Sequence, residues 1–191
     1  MSNSGAVFLA YFYFTFKDEG KRDSRALLSS LLDQLSDQSD QFRDVLRKLH
    51  SEHRDGSKKP NDDALLRCLK DMLTTARSVP VYLVLDALDE CPNDSGALQS
   101  QSARGKVLSV VKELVKLGLP NMRLCITSRP EFDIRTIIKF LAAQEISLHD
   151  EGGQNQDINT YVTFAVQSVT KWRDDDKKMV IDELTENANG M

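Results

Sequence analysis

Apolar residues fill Ala6 to Phe16 (AVFLAYFYFTF) almost without a break, and the run is rich in aromatics. This pattern predicts a β-strand buried on both faces. Lys17 to Asp23 is a charged turn, and from Ser24 the period changes. Leu27, Leu28, Leu31, Leu32 and Leu35 recur at helical spacing, with Asp and Gln on the opposite side. A second helix is predicted around Phe42, Val45, Leu46 and Leu49, ending after His53 in the polar linker Arg54 to Pro60. Asn61 or Asp62 can cap the next helix, whose apolar face is Leu65, Leu66, Leu69, Met72, Leu73 and Ala76. After Pro80 comes a second compact apolar run, Val81 to Leu85, closed by Asp86.

The remainder keeps the alternation. Pro92 to Gly105 is rich in Ser, Gly and Gln and reads as a mobile loop. A helix follows with Val107, Leu108, Val111, Leu114 and Val115 inward and Gly118 placed to stop it. Arg123 to Thr127 is a third strand, Phe132 to Ala143 a helix and Glu145 to Leu148 a short strand. Asp150 to Gln156 reads as a turn, before helical patterns over Ile158 to Val169 and Asp175 to Asn187. Strands separated by helices pair in parallel through right-handed crossovers. The expected class is therefore α/β, a three-layer sandwich around a parallel sheet with a C-terminal helical tail, divided at 1–150 and 151–191.

Composition narrows the function. Over 191 residues, hydrophobic side chains make up 40% and charged ones 28%, as in a soluble globular protein. Acids outnumber bases 29 to 25, for a net charge of -4. That argues against a nucleic-acid binder, which needs a basic face. The three cysteines, Cys68, Cys91 and Cys125, lack metal-ligand spacing, and their odd number argues against a disulfide framework. The start carries no signal-peptide pattern, and no apolar run is long enough to span a membrane. A reducing, cytoplasmic setting and no membrane contact are expected.

Candidate chemistry gathers at Val81 to Cys91, VYLVLDALDEC. A buried parallel strand would deliver Asp86 to its carboxyl end, where open α/β sheets bind ligands. A carboxylate there can hold Mg²⁺ beside a nucleotide's phosphates. Asp89 and Glu90 follow within about one turn, and one of them could orient or deprotonate a water. Three acids so close repel unless a cation or water compensates. The plainer alternative is that all three cap the next turn and face solvent.

VYLVLDALDEC resembles the extended Walker B segment of NACHT-type STAND NTPases. LCITSRPE, Leu124 to Glu131, is similar to the family's following sensor strand, and AYFYFTFKD to the strand after its P-loop helix. ISLHDEGGQNQDINTYV, Ile146 to Val162, resembles fungal NACHT proteins and nephrocystin-like N-terminal domains. The resemblance implies a P-loop NTPase sheet, with Asp86 as the magnesium-associated acid, Asp89 and Glu90 as the acidic pair for water activation or state switching, and Arg129 as the sensor arginine. The plainer role for Arg129 is pairing with Asp86 or Glu131. Ala87 stands where many relatives have Gly, which is tolerable if no positive φ is needed there. The resemblance also implies a signalling switch using Mg²⁺ with ATP or GTP, and partners that are other protein domains or further copies.

The phosphate cradle, G-x-x-x-x-G-K-[ST], is missing from the sequence. Gly20-Lys21 is followed by Arg22 and has Thr15 where the first Gly belongs; Gly105-Lys106 is followed by Val107 and has Ser100 there. The family's loop precedes the aromatic strand, so the chain is expected to be a fragment or a natural remnant that holds no nucleotide tightly alone. The family's sheet order sets the missing strand against Arg123 to Thr127, which should then pair with Glu145 to Leu148 or show a free edge. A nucleotide-independent interaction module is the main alternative. A metal-dependent hydrolase built on the three acids ranks last, for want of a recognisable base. Among weaker signals, His50 and His53 at i,i+3 fit a solvated helix end, His149-Asp150-Glu151 a polar turn, Trp172, Tyr161 and Phe164 packing of the tail, and Lys112, Glu113 and Lys116 a charged helix surface.

Overall fold

A computed structural model describes residues 7–53, 59–76, 79–93, 102–146 and 152–187. The chain forms two compact units, Met1–Leu141 and Ala142–Met191. In the first unit the described order is β1 (Phe8–Tyr13), α1 (Ser24–Gln38), α2 (Asp40–Glu52), α3 (Asp62–Thr75), β2 (Val81–Asp86), α4 (Ala103–Val115), β3 (Met122–Ile126) and α5 (Phe132–Ile138). The strands form one parallel sheet in the order β1-β2-β3, with Phe8 opposite Val81 and Val81 opposite Met122.

The helices start where short polar side chains can satisfy free amides. Asp23 accepts from Ala26 N at the head of α1, Asn61 from Ala64 N at α3 and Ser102 from Gly105 N at α4. Each cap contributes about 1 kcal/mol. Gly118 follows α4 with φ +60, the left-handed conformation expected of a glycine that ends a helix. The leucine stripe of α1 is fully buried, together with Leu69, Met72 and Leu73 of α3 and Val107, Val111 and Leu114 of α4. These side chains close over Ala10, Phe12, Leu83 and Leu85 on one face of the sheet.

The other face corrects the expectation of a sheet buried on both sides. Along β1, exposure alternates: Ala10 and Phe12 point into the core, whereas Leu9, Tyr11 and Tyr13 stand roughly half exposed. The register carries this face across the sheet in the rows Leu9–Tyr82–Arg123 and Tyr11–Val84–Cys125. Tyrosine makes the exposed rows tolerable, since its ring covers the strand while its hydroxyl reaches water.

The two sheet edges differ. On β1, the outward N–H and C=O of Leu9 bond to the side-chain amide of Gln38, at 3.0 and 2.7 Å. Those of Tyr11 bond to Gln34, at 3.0 and 2.7 Å. On β3, Val81 N bonds to Asn121 O and Thr127 N to Leu85 O. Alternation therefore turns the amides and carbonyls of Leu124 and Ile126 away from β2. Among the described residues no strand pairs with that edge.

Three boundaries also change. Glu145 and Ile146 form no strand, and Ser147 and Leu148 lie outside the described residues. The helix expected to reach Ala143 ends at Ile138, and the chain turns there, with Leu141 N bonding to Ile138 O at 2.8 Å. In the second unit α6 (Gly152–Gln167) starts before Ile158, running through two glycines, and is followed by α7 (Asp174–Asn187). Tyr161, Phe164 and Trp172 stand exposed rather than packed. A pair of helices has only one shared seam in which to bury side chains. Among the described residues no helix is long and apolar enough to cross a membrane.

Candidate functional site

Asp86 is the last residue of the middle strand and is exposed at its carboxyl end. Continuing the register of β2 and β3 sets it opposite Thr127. The Thr127 hydroxyl donates a short hydrogen bond to Asp86 Oδ1, and Thr127 Oγ1 in turn accepts from Ala87 N at 3.0 Å. Thr127 O also accepts from Leu88 N at 3.0 Å. One side chain at the tip of β3 thus fixes both the carboxylate of Asp86 and the first step of the turn after it.

That turn is strained. Ala87 has φ 54 and ψ 47, the one non-glycine residue with positive φ among the described residues. For an L-residue this conformation costs about 1–2 kcal/mol, because Cβ crowds the following carbonyl. The position does need the backbone freedom that glycine has and alanine lacks. It sends Leu88–Glu90 into a single 3-10 turn, with Leu88 buried beneath it.

The three acids diverge from here. Asp89 Oδ1 accepts from Arg129 N at 3.0 Å, and Asp89 Oδ2 lies 3.6 Å from Arg129 Nε. Glu90 Oε2 accepts from Phe16 N at 3.3 Å, toward β1. Asp86 faces Thr127. Repulsion among the three is relieved by separate partners, and among the described residues no group of three or more His, Cys, Asp or Glu side chains is placed to share a metal. Arg129 is joined to the acidic turn as expected of a strand-end arginine, but its carboxylate is that of Asp89 rather than Asp86 or Glu131.

Two contributors went unnoticed in the sequence. Thr127 is one; its position opposite Asp86 follows once the strands are aligned. The other is Arg104, which is only 8% exposed. Its Nε donates to Cys91 O at 2.9 Å and one terminal nitrogen to Asp89 O at 2.6 Å. The other lies 3.2 and 3.4 Å from the two carboxylate oxygens of Asp133 in α5. Arg104 shares the helical face of Val107, Leu108 and Val111. A charge on an otherwise apolar stripe was the available signal.

Residues 1–129 match the family model described as Nephrocystin 3, N-terminal. The chain belongs to that family. No curated protein and no solved structure matches it. The nephrocystin 3 N-terminal match covers all three strands, the acidic turn, Arg104 and Arg129. Asp133 and the second unit lie beyond it.

The remaining signals are structural. His53 Nδ1 lies 2.9 Å from Leu49 O at the end of α2. His149, Asp150 and Glu151 lie outside the described residues. Glu113 of α4 bonds to Lys70 of α3 and to Lys116, both at 2.7 Å. Those two ammonium groups, Lys116 first, hold its carboxyl down at about 2. Burial pushes the Cys68 thiol up to about 11, the buried Cys91 thiol donates to Arg22 O at 2.9 Å, and Cys125 lies exposed on the open face.

Proposed function

We propose that this nephrocystin 3 N-terminal domain is part of a NACHT-type nucleotide-switch module of a signal-transducing STAND protein, carrying Walker B and sensor segments without a phosphate cradle. The observation that supports this reading is the joint between β2 and β3: Asp86 at the tip of the middle strand, tied to Thr127, with Asp89 holding Arg129 alongside. Strand-end carboxylates beside an arginine just past the end of the neighbouring strand suit a site that responds to a phosphate.

The residues present do not by themselves fit a magnesium nucleotide. Asp86 brings one carboxylate, already held by Thr127, and the sequence has no glycine-rich loop to wrap phosphates. No catalytic step is therefore assigned to Asp89, Glu90 or Arg129. In this reading the isolated chain binds neither ATP nor GTP tightly. Calorimetry should show no low-micromolar affinity with Mg²⁺. Fusing a G-x-x-x-x-G-K-[ST] segment ahead of residue 1 should create magnesium-dependent binding that Asp86→Ala removes. Tight binding by the isolated chain, or none by a folded fusion, would count against it.

The exposed sheet face, and an edge of β3 that no strand pairs with among the described residues, favour a second reading, a module that associates with other protein chains whether or not nucleotide is present.

A further inference from the structure

The buried guanidinium of Arg104 sits on the helix face of Val107, Leu108 and Val111, where a cation is costly unless its donors are used. They are used in three directions: Nε on Cys91 O, one terminal nitrogen on Asp89 O and the other on both carboxylate oxygens of Asp133. The same stretch is tied twice more. Pro92 O accepts from Arg104 N at 3.0 Å, and Asn93 Nδ2 donates to Asp133 Oδ2 at 3.1 Å. Residues 89–93 are thereby fastened to the first turns of both α4 and α5.

These contacts close a ring. Asp89 gives its carbonyl to Arg104 and its carboxylate to Arg129 N and Nε. Asp133, four residues beyond Arg129, returns to Arg104. Ile134 beside it is buried, so the packing of α5 fixes where Asp133 stands. We propose that Arg104 is a positioning residue that couples α5 to the acidic turn. It sets the backbone of Asp89 so that the carboxylate meets Arg129, and Asp133 holds Arg104 in the pose that does so. A displacement of α5 is then felt at Arg129. Lysine cannot replace this arginine, because one ammonium lacks the planar fork that serves a carboxylate and two carbonyls at once. A salt bridge that only adds stability would behave differently: losing it would weaken the whole unit evenly, with no particular effect at Arg129.

That Arg129 responds to a phosphate rests on the nucleotide-switch reading. The coupling itself does not, and its test uses no ligand, so each can fail while the other stands. Hydrogen exchange of the full chain, followed by NMR, reads the bond from Arg129 N to Asp89 Oδ1, with the amides of α1 and α3 as the reference for global stability. Relative to that reference, the Arg129 amide should exchange about ten-fold faster in Arg104→Lys and about five-fold faster in Asp133→Asn. Asp89→Ala should free it directly, and adding Asp133→Asn to Asp89→Ala should change it no further, because both act along one path. Asn93→Ala lies at an exposed position and removes only one bond to Asp133, so it keeps the fold if the buried variants lose theirs; it should speed Arg129 exchange about two-fold. Unchanged Arg129 exchange in the folded variants overturns the proposal. So does acceleration that is equal at the reference amides, or an Asp133→Asn effect that persists in full without the Asp89 carboxylate.

Discussion

The β1 and β3 edges belong to one three-stranded sheet, yet among the described residues two side chains close the first and none closes the second. At β1 a helix packed on the covered face also reaches round the rim: the leucines of α1 enter the core, while Gln34 and Gln38 turn to the strand's outward amides and carbonyls. At β3 the same kind of backbone group faces outward with no partner among the described residues. An amphipathic helix can thus do two jobs with two faces, packing the core and covering a strand edge.

The strongest way to break the contrast is to open the sealed side. Gln34→Ala with Gln38→Ala removes four hydrogen bonds to β1. At roughly 0.5–1.5 kcal/mol each, softened because water can replace them on an exposed edge, the pair should cost about 2 kcal/mol in urea denaturation. With the β1 edge uncovered, sedimentation should show more self-association than the wild type has. A double variant as stable and as small as the wild type would mean that the glutamines seal nothing.

A smaller effect is expected at the turn that joins the middle strand to the open side. Ala87→Gly relieves a left-handed φ at a cost in unfolded-chain entropy, for a net stabilisation of about 0.5–1 kcal/mol. The denaturation midpoint should rise with an unchanged slope. A fall would show that Ala87 is better fitted to its conformation than its φ implies.

The smallest effect serves as a control away from both edges. Glu113 has its carboxyl depressed to about 2 by Lys116 and Lys70. Its contribution to stability is therefore fully present above the ordinary value of 4.5 and is lost as pH falls through about 2. Glu113→Gln should lower the melting temperature slightly near neutrality, the deficit should vanish toward the acid end, and self-association should not change. A deficit that persists at low pH would assign Glu113 a role other than pairing.

Much of this architecture was legible in the residues. Periodicity located the leucine faces of α1, α3 and α4, and Asp86 fell at the end of a strand as its apolar run required. Asn61 and Gly118 cap and stop helices as their chemistry suggests. What escaped depends on alignment in space. Gln34 and Gln38 read as ordinary polar positions opposite a leucine stripe, because nothing local says that a strand edge runs beside them. The aromatic run of β1 read as buried twice over, because tyrosine's tolerance of a half-exposed site leaves no mark on an apolar count. Asp89 rather than Asp86 holds Arg129 because the strained turn at Ala87 swings the former inward, and that φ could not be foreseen from an alanine.

The sealing of β1 has a geometric consequence. Four residues of helix advance about 6.0 Å, and two residues of strand about 6.6 Å. A helix lying along a strand can therefore offer glutamines at i and i+4 to consecutive outward sites with a mismatch of well under 1 Å. Each further step adds to the offset, and the 400° of rotation per four residues carries the side chain about 40° round the axis. Two plugs are about what one straight helix can supply, which sets a natural upper length for an edge strand protected in this way.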